Sequence, residues 1–236
     1  MLAYEGRELL AAARKDLGRT VPTCPDWTVR DLLAHTGQMH RLWAGLVAGR
    51  LQERPRELPQ PPSDDAELPA WYEQGLDRLG EVLAGADPAE PVWSWHRANR
   101  TAGFWRRRLA HETTVHRVDA QSASGTPEAV ATDVAMDGAD EVLEAILVAF
   151  SRRDVGGDGR TIELATGDRG WRVTPHQDHI DLERDVGSGE AAAYVHGAPA
   201  ELYLWLWGRG PDGSVQLGGN TELARFPRER IAQLTG

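Results

Sequence analysis

Cysteine is nearly absent from this sequence of 236 residues, since Cys24 is the only one. A single cysteine excludes an intramolecular disulfide and any CxxC metal site. Long apolar runs are absent as well, because no segment approaches the length of a membrane span, and the charged start MLAYEGRELLAAARKDLG lacks the apolar region of a secretory signal. We therefore expect a cytoplasmic protein with no membrane partner.

Lysine is also nearly absent. Lys15 is the only lysine among 26 basic residues, and the net charge is −10 with a sequence pI near 5.3. Bulk electrostatic attraction to nucleic acid is therefore disfavoured, and no nucleic-acid partner is expected, although the sequence leaves room for local arginine clusters. The apolar fraction of 41% is that of a globular protein, and the length suits one large domain or two modest ones.

Helical periodicity dominates the sequence before about residue 150. Five helices are predicted, at roughly 4–18, 28–49, 65–85, 101–124 and 133–150. Thr28 is the expected N-cap of the second helix, and Asp31 completes an aspartate variant of the capping box. The loop TVPTCPDW precedes that helix, and the proline-rich stretch RPRELPQPPSDD follows it as an exposed loop.

The sequence changes character at SRRDVGGDGR, which is typical of an interdomain linker. TIELATGDRGWRVTP then predicts a β-hairpin, and HIDLERDV and VQLGG predict further strands. ELYLWLW alternates as a strand does, but Pro199 before it and Gly208 after it favour a helix. The predicted fold is an up-and-down helical bundle over residues 1–152, followed by a small α+β domain over residues 158–236.

The motif HETTVH is one residue longer than the HExxH motif of zinc proteases. At about 100° per residue, Glu112 and His116 fall on the apolar stripe that Trp105 and Leu109 define, whereas His111 falls well off it. The functional unit is therefore ExxxH. Its two side chains converge, either as a buried hydrogen-bonded pair or as two ligands of a divalent metal.

A metal site needs at least a third ligand, and the second helix offers two candidates. His35 borders the apolar arc of that helix and His40 lies inside it, so periodicity alone leaves the choice open. Two histidines and one carboxylate are a known ligand set, with zinc the usual ion and non-haem iron(II) its chief rival. Three protein ligands leave one coordination position open for chemistry.

CPDWTVRDLLAHTGQMHRLW, HETTVHRVDA and LYLWLWGRG, in this order, resemble the mycothiol-dependent maleylpyruvate isomerase family. The resemblance spans almost the whole chain. It implies a DinB-like four-helix bundle with a divalent metal, generally zinc, on His35, Glu112 and His116. It also implies a sterol-carrier-like α+β domain in which Arg209 binds substrate or thiol, although a C-terminal cation that interacts with the helix dipole is an equal alternative.

The resemblance further implies an enzyme that uses mycothiol as a thiol cosubstrate and acts on a small molecule, as a monomer or homodimer. A metal-bound thiolate would add to an activated cis double bond, and the trans isomer would form after rotation. Apart from the resemblance, which gives no match in the Trp93–Arg100 segment, Arg97 or Arg100 would assist in carboxylate binding. Asp119 would either orient a ligand histidine or serve as a surface or helix-pairing carboxylate. The alternatives are a mycothiol S-transferase, a metal-dependent hydrolase and a non-catalytic metal-binding module.

Overall fold

A computed structural model of the chain describes residues 1–151, 155–187 and 189–235, and these residues divide into two units, 1–128 and 129–236. The first unit is built from four helices and a short hairpin. Its elements are α1 (Leu2–Ala13), β1 (Thr20–Val21), β2 (Cys24–Thr28), α2 (Val29–Ala48), α3 (Leu68–Gly85) and α4 (Ala102–Ser124). Helix α1 packs mainly against α4, and α2 packs mainly against α3.

Local sequence explains where α2 begins. The Thr28 hydroxyl accepts a hydrogen bond from the Asp31 backbone N–H, and the Asp31 carboxylate accepts one from the Thr28 backbone N–H, so the predicted capping box is confirmed. The predicted loop TVPTCPDW instead forms the antiparallel β1–β2 hairpin. The core of this unit lies between the helices, where Leu9, Leu32 and Leu76 are almost fully buried.

Helix α4 is unusual in being buried on nearly all sides. From Arg108 to Ala120, Glu112 is the only residue that is not buried. His111, predicted to fall off the buried face, is fully buried as well. A helical wheel assumes one apolar face, and that assumption fails for a helix that is enclosed.

The second unit is a five-stranded mixed sheet with helices. Its elements are α5 (Thr132–Glu141), a π-helical continuation (Val142–Val148), β3 (Ile162–Thr166), β4 (Arg169–Pro175), β5 (Ile180–Arg184), β6 (Ala193–His196), α6 (Pro199–Leu206), a 3₁₀ turn (Asp212–Ser214), β7 (Gln216–Gly219), α7 (Thr221–Ala224) and α8 (Phe226–Thr235). The strand order is β5-β4-β3-β6-β7, with β3 and β6 parallel and every other pair antiparallel. Trp171 and Trp205 are among its largest buried side chains.

The expected fold class, a helical bundle followed by an α+β part, is confirmed, but the boundary lies earlier than the expected 152–158. The fifth helix belongs to the second unit because it packs against α6 and is tied to the sheet. Asp140 on α5 accepts hydrogen bonds from Trp171 Nε1 at 2.9 Å and Arg184 Nε at 2.6 Å. Of the expected linker SRRDVGGDGR, residues 152–154 lie outside the described part of the chain.

Candidate metal centre

Three of the predicted site residues come together in the first unit. His35 on α2 and Glu112 and His116 on α4 each offer a ligand atom, and these atoms all lie within 4.8 Å of one another. Glu112 Oε1 lies 3.3 Å from His116 Nε2 and 3.7 Å from His35 Nε2. Two imidazole nitrogens and one carboxylate oxygen therefore face a common point, which is the donor set that a catalytic zinc ion takes.

His116 is oriented from behind by Asp119, one turn further along α4. The Asp119 carboxylate is fully buried, accepts from His116 Nδ1 at 3.0 Å, and accepts from the Thr23 hydroxyl at 2.5 Å. A carboxylate on Nδ1 fixes the proton there and leaves Nε2 directed at Glu112. The arrangement is the carboxylate–histidine pair that commonly supports a metal ligand.

Glu112 is held in position by a buried arginine. Arg108, one turn earlier on α4 and 3% exposed, donates from Nη2 to Glu112 Oε2 at 2.9 Å. Burial raises the pKa of Glu112, but His116, His35 and the charge of Arg108 outweigh that effect and hold its pKa well below the usual value. The carboxylate is therefore ionised near neutral pH and ready to bind a cation.

The pKa of His116 depends on its burial and on the two carboxylates beside it, Asp119 and Glu112. Burial lowers the pKa of His116, but the hydrogen bond to Asp119 and the contact with Glu112 outweigh it and raise the pKa to about 9. In the metal-free protein both ring nitrogens of His116 therefore carry a proton at neutral pH, and the ring is positively charged. A metal ion bound to Nε2 must displace a proton from this imidazole.

One aromatic side chain covers the histidines. The ring of Trp27, on β2, lies 4.9 Å from the ring of His35 and 6.5 Å from that of His116, measured between centroids. The two imidazoles meet edge to face at 5.4 Å. The indole therefore packs against the His35 ring and lies beside the ring of His116.

His40, the other candidate on α2, occupies a different environment. It is fully buried, and its Nε2 lies 2.9 Å from the hydroxyl of Thr113, which itself donates to the Leu109 carbonyl. The hydroxyl therefore accepts a hydrogen bond from His40 Nε2, and burial lowers the pKa of His40 to about 3. His40 is thus a neutral core histidine outside the cluster.

Arg209, expected to bind substrate or thiol, belongs to the second unit. It follows α6, is half-buried, and donates from Nη1 to the Trp207 carbonyl at 2.6 Å. Arg97 and Arg100, the other candidates for carboxylate binding, are exposed residues of the loop before α4.

These features are accompanied by clear matches to known proteins. Residues 2–121 match the mycothiol maleylpyruvate isomerase N-terminal domain, and residues 133–226 match the MDMPI C-terminal domain. The chain belongs to this family.

Solved structures show the same fold. A crystal structure of the mycothiol-dependent maleylpyruvate isomerase aligns with a TM-score of 0.60 and 17% identity, covering 93% of this chain and 89% of that one. A mutant of that enzyme aligns with the same score and coverage at 16% identity. No curated protein sequence matches significantly. Among the helices of the described residues, none has the length and apolar character that crossing a membrane requires.

Sequence reasoning missed three residues that support the cluster: Arg108, Thr23 and Trp27. The position of Arg108 was a usable signal, because a basic residue four positions before Glu112 lies on the same helical face. Thr23 and Trp27 gave no comparable signal, since their contacts depend on how the β1–β2 hairpin folds onto α4 and α2.

Proposed function

We propose that the chain is a divalent-metal-dependent and mycothiol-dependent isomerase of the maleylpyruvate isomerase type, with His35, Glu112 and His116 as the metal ligands. The observation that carries the proposal is the convergence of these three ligand atoms within 4.8 Å in a chain of this family. Zinc is the proposed ion because the donor set is two histidines and one carboxylate with a position left open.

The residues of the chain prepare this site for a cation. Glu112 supplies a negative charge at Oε1, Asp119 holds the proton of His116 on Nδ1, and Arg108 offsets part of the carboxylate charge. Trp27 packs beside the two histidines. A divalent ion held by His35, Glu112 and His116 would lower the pKa of a bound thiol, which would let mycothiol react as a thiolate near neutral pH.

The proposed reaction is nucleophilic catalysis by an external thiol. The sulfur of mycothiol adds to the activated cis double bond of maleylpyruvate, which becomes a single bond and rotates. Loss of the sulfur then restores the double bond in the trans configuration, so the thiol is not consumed. Arg209 is the proposed partner of a substrate carboxylate, because a guanidinium binds carboxylates through two parallel hydrogen bonds.

The test begins with the dialysed full-length protein and elemental analysis. We expect one equivalent of a divalent ion that His116→Ala and His35→Ala each remove, together with trans-isomer formation from maleylpyruvate only when mycothiol is present. His196→Ala is the matched control, because this histidine belongs to neither metal-ligand cluster found in the described residues. It should retain both metal and activity.

Other outcomes identify the alternative functions. Thiol consumed by an electrophile without isomerisation would indicate an S-transferase, and cleavage of an ester or amide without thiol would indicate a hydrolase. If metal is absent and His116→Ala changes no activity, the metal-dependent proposal is wrong. If the protein binds metal but turns over none of these substrates, the result would indicate a non-catalytic metal-binding module.

A further inference from the structure

A second group of metal-ligating side chains lies in the other unit, at the turn between β4 and β5. The sequence there is HQDHID, and His176, His179 and Asp181 each offer a ligand atom, all within 4.8 Å of one another. The turn is closed by a hydrogen bond from the His176 backbone N–H to the His179 carbonyl at 2.8 Å. This closure places the two histidines side by side across a two-residue loop.

The two imidazoles present the same nitrogen to one carboxylate. Their rings stack with centroids 4.4 Å apart and planes inclined by 13°. His176 Nε2 lies 3.1 Å from Asp181 Oδ2, and His179 Nε2 lies 3.7 Å from Asp181 Oδ1. Two nitrogens and a carboxylate therefore converge on one side of the turn.

Asp178 completes the arrangement in the way that Asp119 does in the bundle. Its carboxylate lies 2.7 Å from His179 Nδ1 and accepts a hydrogen bond from that nitrogen, so in the neutral ring Nε2 is the unprotonated nitrogen and lies on the side of Asp181. A histidine oriented through Nδ1 by one carboxylate, with Nε2 beside a second carboxylate, thus occurs in both units.

The turn is also fixed from the side. The Gln177 carbonyl accepts from Val155 N at 3.0 Å, the His176 carbonyl accepts from Gly157 N at 3.0 Å, and Gln177 Nε2 donates to the Gly157 carbonyl. A Cβ atom at Gly157 would lie 2.2 Å from the Pro175 carbonyl oxygen, so the two segments are in close contact. These contacts fix the backbone that carries the ligands, so the backbone needs little further ordering when an ion binds.

We propose that His176, His179 and Asp181 form a second, surface-exposed site for a divalent transition-metal ion of the zinc, nickel and copper class. Imidazole nitrogens select these ions over magnesium and calcium, which prefer all-oxygen sites. The site is separate from the bundle cluster and uses none of its residues. The exposure of its ligands, from 35% for His176 to 59% for Asp181, makes it a site of exchangeable metal.

The test is a zinc titration of the full-length protein in which the NMR signals of the individual histidine rings are measured at each zinc concentration. We expect the signals of His176 and His179 to shift together and saturate at one equivalent, in the wild type and in a His35→Ala/His116→Ala background. Because each ring is observed separately, the wild type alone decides the question if the double variant does not fold. Failure of the bundle site would appear only in the signals of His35 and His116.

Variants of the turn should weaken zinc binding there. His179→Ala and Asp181→Asn should each lower the affinity at least about tenfold. Asp168→Asn is the matched control, since it removes an exposed carboxylate from the other hairpin turn of the same sheet and should change nothing. The proposal is wrong if zinc at millimolar concentration leaves both rings unshifted, if magnesium shifts them equally, or if His179→Ala binds zinc as the wild type does.

Discussion

Replacing Asp119 by asparagine would separate two opposite effects of this carboxylate on metal binding. The asparagine oxygen can still accept from His116 Nδ1, and the Thr23 hydroxyl can turn to accept from the new amide, so the packing is preserved. The negative charge is lost. A less basic His116 binds a metal more weakly, and such changes typically cost about 10–100-fold in affinity, or about 1.4–2.7 kcal/mol.

The proton on His116 works in the other direction. With its pKa raised to about 9 in the metal-free protein, His116 is almost entirely protonated at pH 7. The proton then weakens the apparent zinc affinity by about 100-fold relative to its high-pH limit, since each pH unit below the pKa costs about tenfold. Asp119→Asn lowers this pKa and relieves part of the competition. The loss of affinity in the variant should therefore be small at pH 7 and large at pH 9.

A competition titration against a chromophoric zinc chelator between pH 6 and 9.5 would measure this effect. Wild-type affinity should rise about tenfold per pH unit from pH 7 to 9, with about one proton released per zinc at pH 7. The Asp119→Asn profile should be flatter over that range. Asp77→Asn, which removes an exposed carboxylate on α3, should follow the wild type. Parallel profiles for wild type and Asp119→Asn, or no proton release by the wild type, would refute the reasoning.

Three further predictions concern stability. Glu5→Ala removes the carboxylate that lies 2.8 Å from Nε of the buried Arg117 guanidinium. It should lower the free energy of unfolding by about 3–5 kcal/mol in denaturant titrations. As a control, Arg7→Ala breaks the exposed ion pair with Asp77 and should lower the free energy of unfolding by less than about 1 kcal/mol. Thr28→Ala removes the N-cap of α2 and should cost about 1 kcal/mol by the same measurement. Because the folded-state pKa of His116 is raised, its stabilising contribution to the metal-free protein is complete below pH 6.5 and lost towards pH 9, so the melting temperature should fall over this interval; a constant melting temperature would contradict this.

Structural features that depend on residues close together in the sequence were predictable from it. The capping box of α2 depends on residues three apart, and the β3–β4 hairpin depends on a short turn between two runs of alternating residues. The pairing of Glu112 with His116 is equally local, since i and i+4 side chains meet on any helix. Local spacing was therefore enough to identify two residues of the candidate cluster.

Features that depend on distant contacts were not predictable in this way. Strand β6 is only four residues long and pairs in parallel with β3, so no short turn between the two strands indicates the pairing in the sequence. The fifth helix belongs to the second unit through its packing against α6 and through hydrogen bonds from two sheet residues to Asp140, and neither contact is local in the sequence. Periodicity could not choose between His35 and His40, and the family resemblance was needed for that choice.

The ion pair between Arg108 and Glu112 also bears on which ions the bundle cluster accepts. Because Arg108 donates to Oε2, Oε1 is the oxygen of Glu112 that lies beside the two histidines, and a metal ion in the proposed site would be bound mainly through that one oxygen. Calcium needs six to eight oxygen ligands and often takes both oxygens of a carboxylate, and magnesium needs near-octahedral oxygen coordination. In the proposed metal site, the buried arginine would thus disfavour calcium, and the two imidazole ligands would disfavour magnesium.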